Sequence, residues 1–134
     1  MPSDLSSLRS RLLALDDEAR RLLDPLLGRG PLLPGAVYTL RRRCGKPTCR
    51  CTRGELHATE VLSYRGQGRP QTVTPRAGDL PALRALTGAY RSFRQARTAL
   101  ARLGREMKQV VERIEALRVE AGEERFRRLR SREP

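Results

Sequence analysis

Apolar residues recur along the first part of this chain in steps of three and four. Leu5, Leu8, Leu12, Leu15, Ala19, Leu22 and Leu26 follow the steps 3, 4, 3, 4, 3, 4, the a/d spacing of a coiled-coil seam. This predicts a helix over 5–27, with Ser3 or Asp4 able to cap it. Leu13, Leu23 and Leu27 widen the stripe, which favours packing against more than one helix. Pro25 should kink or end the last turn. Residues 28–35, GRGPLLPG, read as a loop on their Gly and Pro content.

From residue 36 the pattern shortens to strand-like runs. AVYTLRR (36–42), ATEVLSYR (58–65) and RPQTVTP (69–75) are the candidate strands. Gly66 and Gly68 around Gln67 signal a hairpin turn between the last two. Strands this short are marginal alone, so the β element over 36–75 needs a staple.

The helical period then returns over 80–121, with Asp79 as cap and Pro81 suited to the first turn. Its apolar positions run Leu83, Leu86, Tyr90, Phe93, Ala96, Leu100, Leu103, Met107, Val110, Ile114, Leu117 and Ala121. Two steps of three around Phe93 overwind the seam locally, and Gly88 and Gly104 weaken it. At ~1.5 Å per residue the helix would run roughly 60 Å. The first helix alone is too short to cover such a stripe, so a second copy is expected to cover the rest, making a homodimer through the long helix. Residues 122–134 are expected to be a basic tail, a frayed helix end or a solvated arm: from 125 on it has five arginines against one glutamate.

The expected fold is therefore a single domain, α+β but mainly α. The N-terminal helix and the long C-terminal helix form an antiparallel coiled coil, with a small zinc-stapled antiparallel β element between them. Composition fits this: 134 residues suffice for one ordinary domain, 38% are hydrophobic, mostly Leu and Ala, and there is no Trp. That argues for helices along a seam rather than a wide globular core.

The formal charge is +13, almost all from arginine. It is unevenly placed: residues 1–35 are net zero, 36–78 carry +7 and 79–134 carry +6. GC-rich codon usage could enrich arginine throughout; localisation in the middle and far end suits a polyanion better. No apolar run reaches the ~18 residues of a membrane span, and the charged N-terminus does not read as a signal peptide. The expected location is cytoplasmic, where clustered cysteines are more often ligands or free thiols than disulfides.

All three cysteines and the only histidine fall in RRRCGKPTCRCTRGELH (41–57), spaced Cys44-x4-Cys49-x-Cys51-x5-His57. This is the ligand set of a closed Cys3His zinc site. Gly45 can take a positive φ and Pro47 presets a turn, so the loop can fold back on a metal. Cys49 and Cys51 would point the same way if the segment were extended. The flanking cations lower thiol pKa values. Structural Zn2+ ranks first as cofactor. A disulfide with one cysteine left over, a redox pair at Cys49 and Cys51, and incidental cysteines are the alternatives. A catalytic metal with Glu55 or Glu60 as base finds no support, since no second histidine, nucleophile motif or carboxylate cluster accompanies it. Asp16, Asp17 and Glu18 read as a solvated helix face. The chain is expected not to be an enzyme.

The same stretch, preceded by GAVYTL and followed by a strand with Tyr64, resembles a family of short, uncharacterised bacterial proteins. Their motif is similar to C-G-K-P-x-C-x-C-x-x-G-x-x-H, matched here by Cys44, Gly45, Lys46, Pro47, Cys49, Cys51, Gly54 and His57. The resemblance covers about 35–95, with the first helix less well matched. It implies a short hairpin, a C-terminal helix and an association with mobile elements and transposase neighbourhoods. One departure stands out: Ala58, Thr59 and Glu60 replace the Gly-Pro and aromatics that follow the histidine in that family. This weakens a base-stacking role there and leaves metal ligation intact.

Arg41, Arg42, Arg43, Lys46, Arg50 and Arg53 place six positive charges within 13 residues with no acid among them. Held by a metal, they would form a phosphate-binding surface. Nucleic acid is the expected partner, DNA ahead of RNA. Tyr38 and Tyr64 could stack on bases, but only 4% of the chain is aromatic, thin for single-strand readout. Alternatively the arginines solubilise the loop or dock on helix acids such as Glu112 and Glu115. The competing function class is a coiled-coil protein–protein adaptor with a purely structural zinc site, with a partner enzyme as a further candidate contact.

Overall fold

The computed structural model describes residues 4–132. It is mainly helical, with one three-stranded antiparallel sheet in the order β1-β2-β3. Helix α1 spans Leu5–Arg21 and α2 spans Leu23–Leu27. Strands β1, β2 and β3 span Gly35–Arg42, His57–Gly66 and Arg69–Val73. Helix α3 spans Leu80–Ser131.

The first helical segment, expected over 5–27 with a kink or end in its last turn at Pro25, is broken at Leu22. Pro25 has no N–H to donate to the carbonyl of Arg21, four residues back. The chain turns at Leu22, whose N–H bonds the Ala19 carbonyl at 3.1 Å. Asp4 caps α1, accepting from the Ser7 amide at 2.8 Å; Ser3, the other candidate cap, lies outside the described residues. At the other end, α3 continues ten residues past 121. The segment expected as a basic tail is helical to Ser131, where Arg128 pairs with Glu124 one turn back and no proline intervenes before Pro134.

The chain divides into two compact units. Each has its own buried residues. The helical unit comprises the stretch up to Leu27 together with Gln95 onward. Its core is Leu8, Leu15, Leu103 and Val110, with Leu12, Ala19, Leu22, Met107, Ile114 and Leu117 packed around it. All ten are seam positions of the two helical patterns. Arg11 forms an ion pair with Glu106 beside them.

The second unit, Gly28–Arg94, holds the sheet and the start of α3. Val61 and Leu62 are adjacent yet both buried, so β2 is covered on both faces. Leu62 lies between Val37 and Val73 in the sheet register. The β2–β3 turn is formed by Gln67 at φ 54° and Gly68 at φ 77°, the paired left-handed residues of a two-residue hairpin. Pro70 sits on edge strand β3, where a missing N–H is tolerated. Arg84 of α3 reaches Glu60 of β2 at 3.0 Å, and the Leu33 amide bonds the Leu86 carbonyl at 3.3 Å.

Candidate metal centre

Strand β1 pairs along its whole length with β2, ending with Arg42 opposite His57. The loop between them, residues 43–56, folds back on the end of that pair. Pro47 lies inside a turn in which the Cys49 amide bonds the Lys46 carbonyl at 3.2 Å. A one-turn 3-10 helix, Arg50–Arg53, follows, with Cys49 as its extended N-terminal residue. The Cys49–Cys51 segment is thus a turn, so the condition of an extended segment is not met. Thr52 tightens it by donating its hydroxyl to the Cys49 carbonyl at 2.7 Å, a contact the spacing did not announce. Gly45 and Gly54 take φ of 85° and 104°, the left-handed region in which a Cβ is strained.

This geometry gathers Cys44, Cys49, Cys51 and His57, whose ligand atoms all lie within 4.8 Å of one another. The four are close enough to hold a metal ion. The Cys44 and Cys51 sulfurs are 3.6 Å apart, and the Cys49 sulfur is 3.1 Å from His57 Nε2. Cys51 is fully buried while Cys44 and His57 are exposed, so the cluster opens to one side.

The thiols differ electrostatically. The Cys49 pKa is lowered to about 6, first by the Cys51 backbone amide and then by hydrogen bonds with Cys44 and His57. Cys51 also receives an amide bond, from Cys44 at 3.4 Å. That bond favours its thiolate, but burial and the neighbouring thiols outweigh it, and its pKa is raised.

The six basic residues singled out in the sequence, Arg41, Arg42, Arg43, Lys46, Arg50 and Arg53, are all exposed around this cluster. Among the described residues, no ion pair engages any of them. The carboxylates considered for other roles are placed differently. Glu60 accepts from Thr39 at 2.5 Å and from Arg84 at 3.0 Å, so both its oxygens are engaged. Glu112 lies 3.8 Å from Lys108, and Asp16 pairs with Arg20. Tyr38 is exposed, and Tyr64 donates its hydroxyl to Gln71 at 2.9 Å. Among the described residues, no helix is long and apolar enough to cross a membrane.

Fold and site define a small, mainly helical protein with a Cys3His cluster at one end of a three-stranded sheet. The chain belongs to the family described as Domain of unknown function (DUF6788), whose model matches residues 7–85. That match takes in most of α1, the cluster, the sheet and the first turn of α3, so the first helix is as much part of the family as the cysteine loop. No curated protein and no solved structure matches the chain.

Proposed function

We propose that this protein is a non-enzymatic, zinc-stapled nucleic-acid-binding protein. One observation carries the reading. Six exposed cations, without ion partners among the described residues, stand at the end of β1 and on the loop after it, whose closing point is a Cys3His cluster. Cations left unpaired on a fixed loop are available to phosphates at little reorganisation cost. Double-stranded DNA is favoured over RNA, because Tyr64 is engaged by Gln71 and few aromatics remain for stacking on unpaired bases.

The donor set fits Zn2+. Zn–S bonds of about 2.3 Å meeting at tetrahedral angles put sulfurs about 3.8 Å apart, close to the 3.6 Å between Cys44 and Cys51. Three thiolates and one imidazole fill all four positions, which favours a structural over a catalytic ion. Bound there, zinc would supply folding free energy to the sheet end. The residues' own part is to present thiolates, with Cys49 most ready to do so.

The helical unit supports a coiled-coil reading, since α1 and α3 meet through their heptad positions. Val111, Val119, Phe126 and Leu129 remain exposed on α3. They favour a second copy as partner, giving a homodimer through the long helix. The same residues suit a protein–protein adaptor, the second reading. A cytoplasmic accessory factor of a mobile element or other nucleic-acid enzyme is the role that fits best.

The test is salt-dependent binding to duplex DNA by protein purified without added metal, with its zinc content measured by mass spectrometry. About one zinc per chain and affinity falling steeply with salt are expected. No binding even at low salt would leave the adaptor reading in its place.

A further inference from the structure

Helix α3 carries a second cationic surface, in the helical unit and outside the metal loop. Arg102, Arg105, Gln109 and Arg113 follow one another in steps of three, four and four, so they share one helix face. Leu103, Val110 and Ile114, close to them in sequence, are the residues turned into the core. All four members of the polar face are exposed. Two nearby glutamates are engaged elsewhere: Glu106 is paired with Arg11 of α1 and Glu112 with Lys108. Among the described residues, no ion pair engages Arg102, Arg105 or Arg113.

The usual fate of a helix face turned from the core is simple solvation, in which charges of both signs alternate and neutralise one another. This face departs from that pattern. Arg105 and Arg113 have no acid three or four residues away on either side, and Glu106, four residues past Arg102, is held by Arg11. From Arg102 to Arg113 is eleven residues, about 16 Å of helix at 1.5 Å per residue. Three guanidiniums over that length, with the Gln109 amide between them, suit a polymer of regularly spaced phosphates better than a single small anion.

We infer that this face of α3 is a second phosphate-contacting surface, binding the backbone of duplex nucleic acid without reading its sequence. The inference rests on the nucleic-acid reading of the metal loop but places a separate contact on a different unit.

The test compares the unaltered protein, the triple variant R102Q/R105Q/R113Q and the loop variant R41Q/R42Q/R43Q on one short DNA duplex over a range of salt. Glutamine keeps helix propensity, and unchanged circular dichroism confirms that the variants fold. Each phosphate contact contributes about 0.9 to the slope of log affinity against log salt. The helix variant should therefore flatten the slope by up to about 2.7, additively with the loop variant. A slope unchanged in the helix variant, with binding otherwise intact, overturns this surface alone. No binding by the unaltered protein overturns both readings. If polyglutamate displaces the duplex from the helix face as well as excess DNA does, the surface is one for acidic proteins and the nucleic-acid assignment fails.

Discussion

Arg42, the last residue of β1, lies directly opposite His57, the first residue of β2. A cation of the proposed phosphate surface and a member of the metal cluster thus sit at one level of one strand pair. Whatever fixes His57 also fixes the base of the arginine run. Fourteen residues, 43–56, separate the two, and Cys44, Cys49 and Cys51 of that loop gather with His57.

Metal removal should therefore act on the sheet unit first. Structural zinc contributes folding free energy on the order of 10 kcal/mol in small domains, and among the described residues the sheet unit has few buried apolar side chains: Cys51, Val61 and Leu62. With a strong chelator, or in Cys51→Ser, amide exchange over β1–β3 should rise by orders of magnitude. The Leu8, Leu15, Leu103 and Val110 core should stay protected. Equal loss of protection in both units would show that they fold as one.

The metal-free thiols should separate by pH. Cys49, with its pKa near 6, lies below the ordinary thiol value of about 8.5. Its folded-state preference for thiolate stabilises the loop above the ordinary thiol range and is lost as pH falls through about 6. Cys51 is shifted the other way: the fold prefers its neutral form, and that contribution fades as pH rises beyond the ordinary thiol range. In apo protein at pH of about 7, between the two thiols' ranges, iodoacetamide should label Cys49 well before Cys51, as read by peptide mass spectrometry. Added Zn2+ should protect both. Preferential labelling of Cys51 would contradict the geometry.

Much of this was legible in the sequence, and for physical reasons. Ligand chemistry is local, so Cys44, Cys49, Cys51 and His57 within fourteen residues announced the cluster, and Gly66 and Gly68 announced the hairpin. Seam positions such as Leu8, Leu103 and Val110 followed from the helical period. What failed were effects that depend on competition. Pro25 interrupts the helix at Leu22 rather than at its own position, because the lost hydrogen bond belongs to the carbonyl of Arg21. The tail, expected as a frayed helix end or a solvated arm, is helical to Ser131, with Glu124 and Arg128 paired across one turn. The role of Glu60, held between Thr39 and Arg84, needs a partner twenty-four residues away and has no signature in local spacing.

Leu15 and Leu13 provide a paired test of the helical unit. Leu15 is fully buried and Leu13 is 68% exposed, though both are leucines on one helix. Leu15→Ala should destabilise the unit by about 2–5 kcal/mol through lost burial and a residual cavity. Leu13→Ala should change stability by less than about 0.5 kcal/mol. Urea unfolding followed by circular dichroism measures both. If Leu13→Ala instead lowers stability in a concentration-dependent way, Leu13 is covered by a second copy.

The glycine at the end of the 3-10 turn tests how tightly the loop geometry serves the metal. Gly54 has φ 104° with open space around the position of a missing Cβ. Any penalty for alanine there is therefore backbone strain and not a clash, about 1–2 kcal/mol for an L-residue forced into that region. Strain at that point acts on the turn carrying Cys51, whose carbonyl accepts from the Gly54 amide at 3.4 Å. Gly54→Ala should weaken zinc affinity by roughly tenfold, the equivalent of about 1.4 kcal/mol, in competition with a chromophoric chelator. It should leave the Arg41, Arg42 and Arg43 contribution to the DNA salt slope intact once zinc is saturating, because the cations themselves are untouched. A variant that binds zinc normally would show that the loop closes without this conformation. One that binds zinc normally but loses DNA would place Gly54 itself against the phosphates.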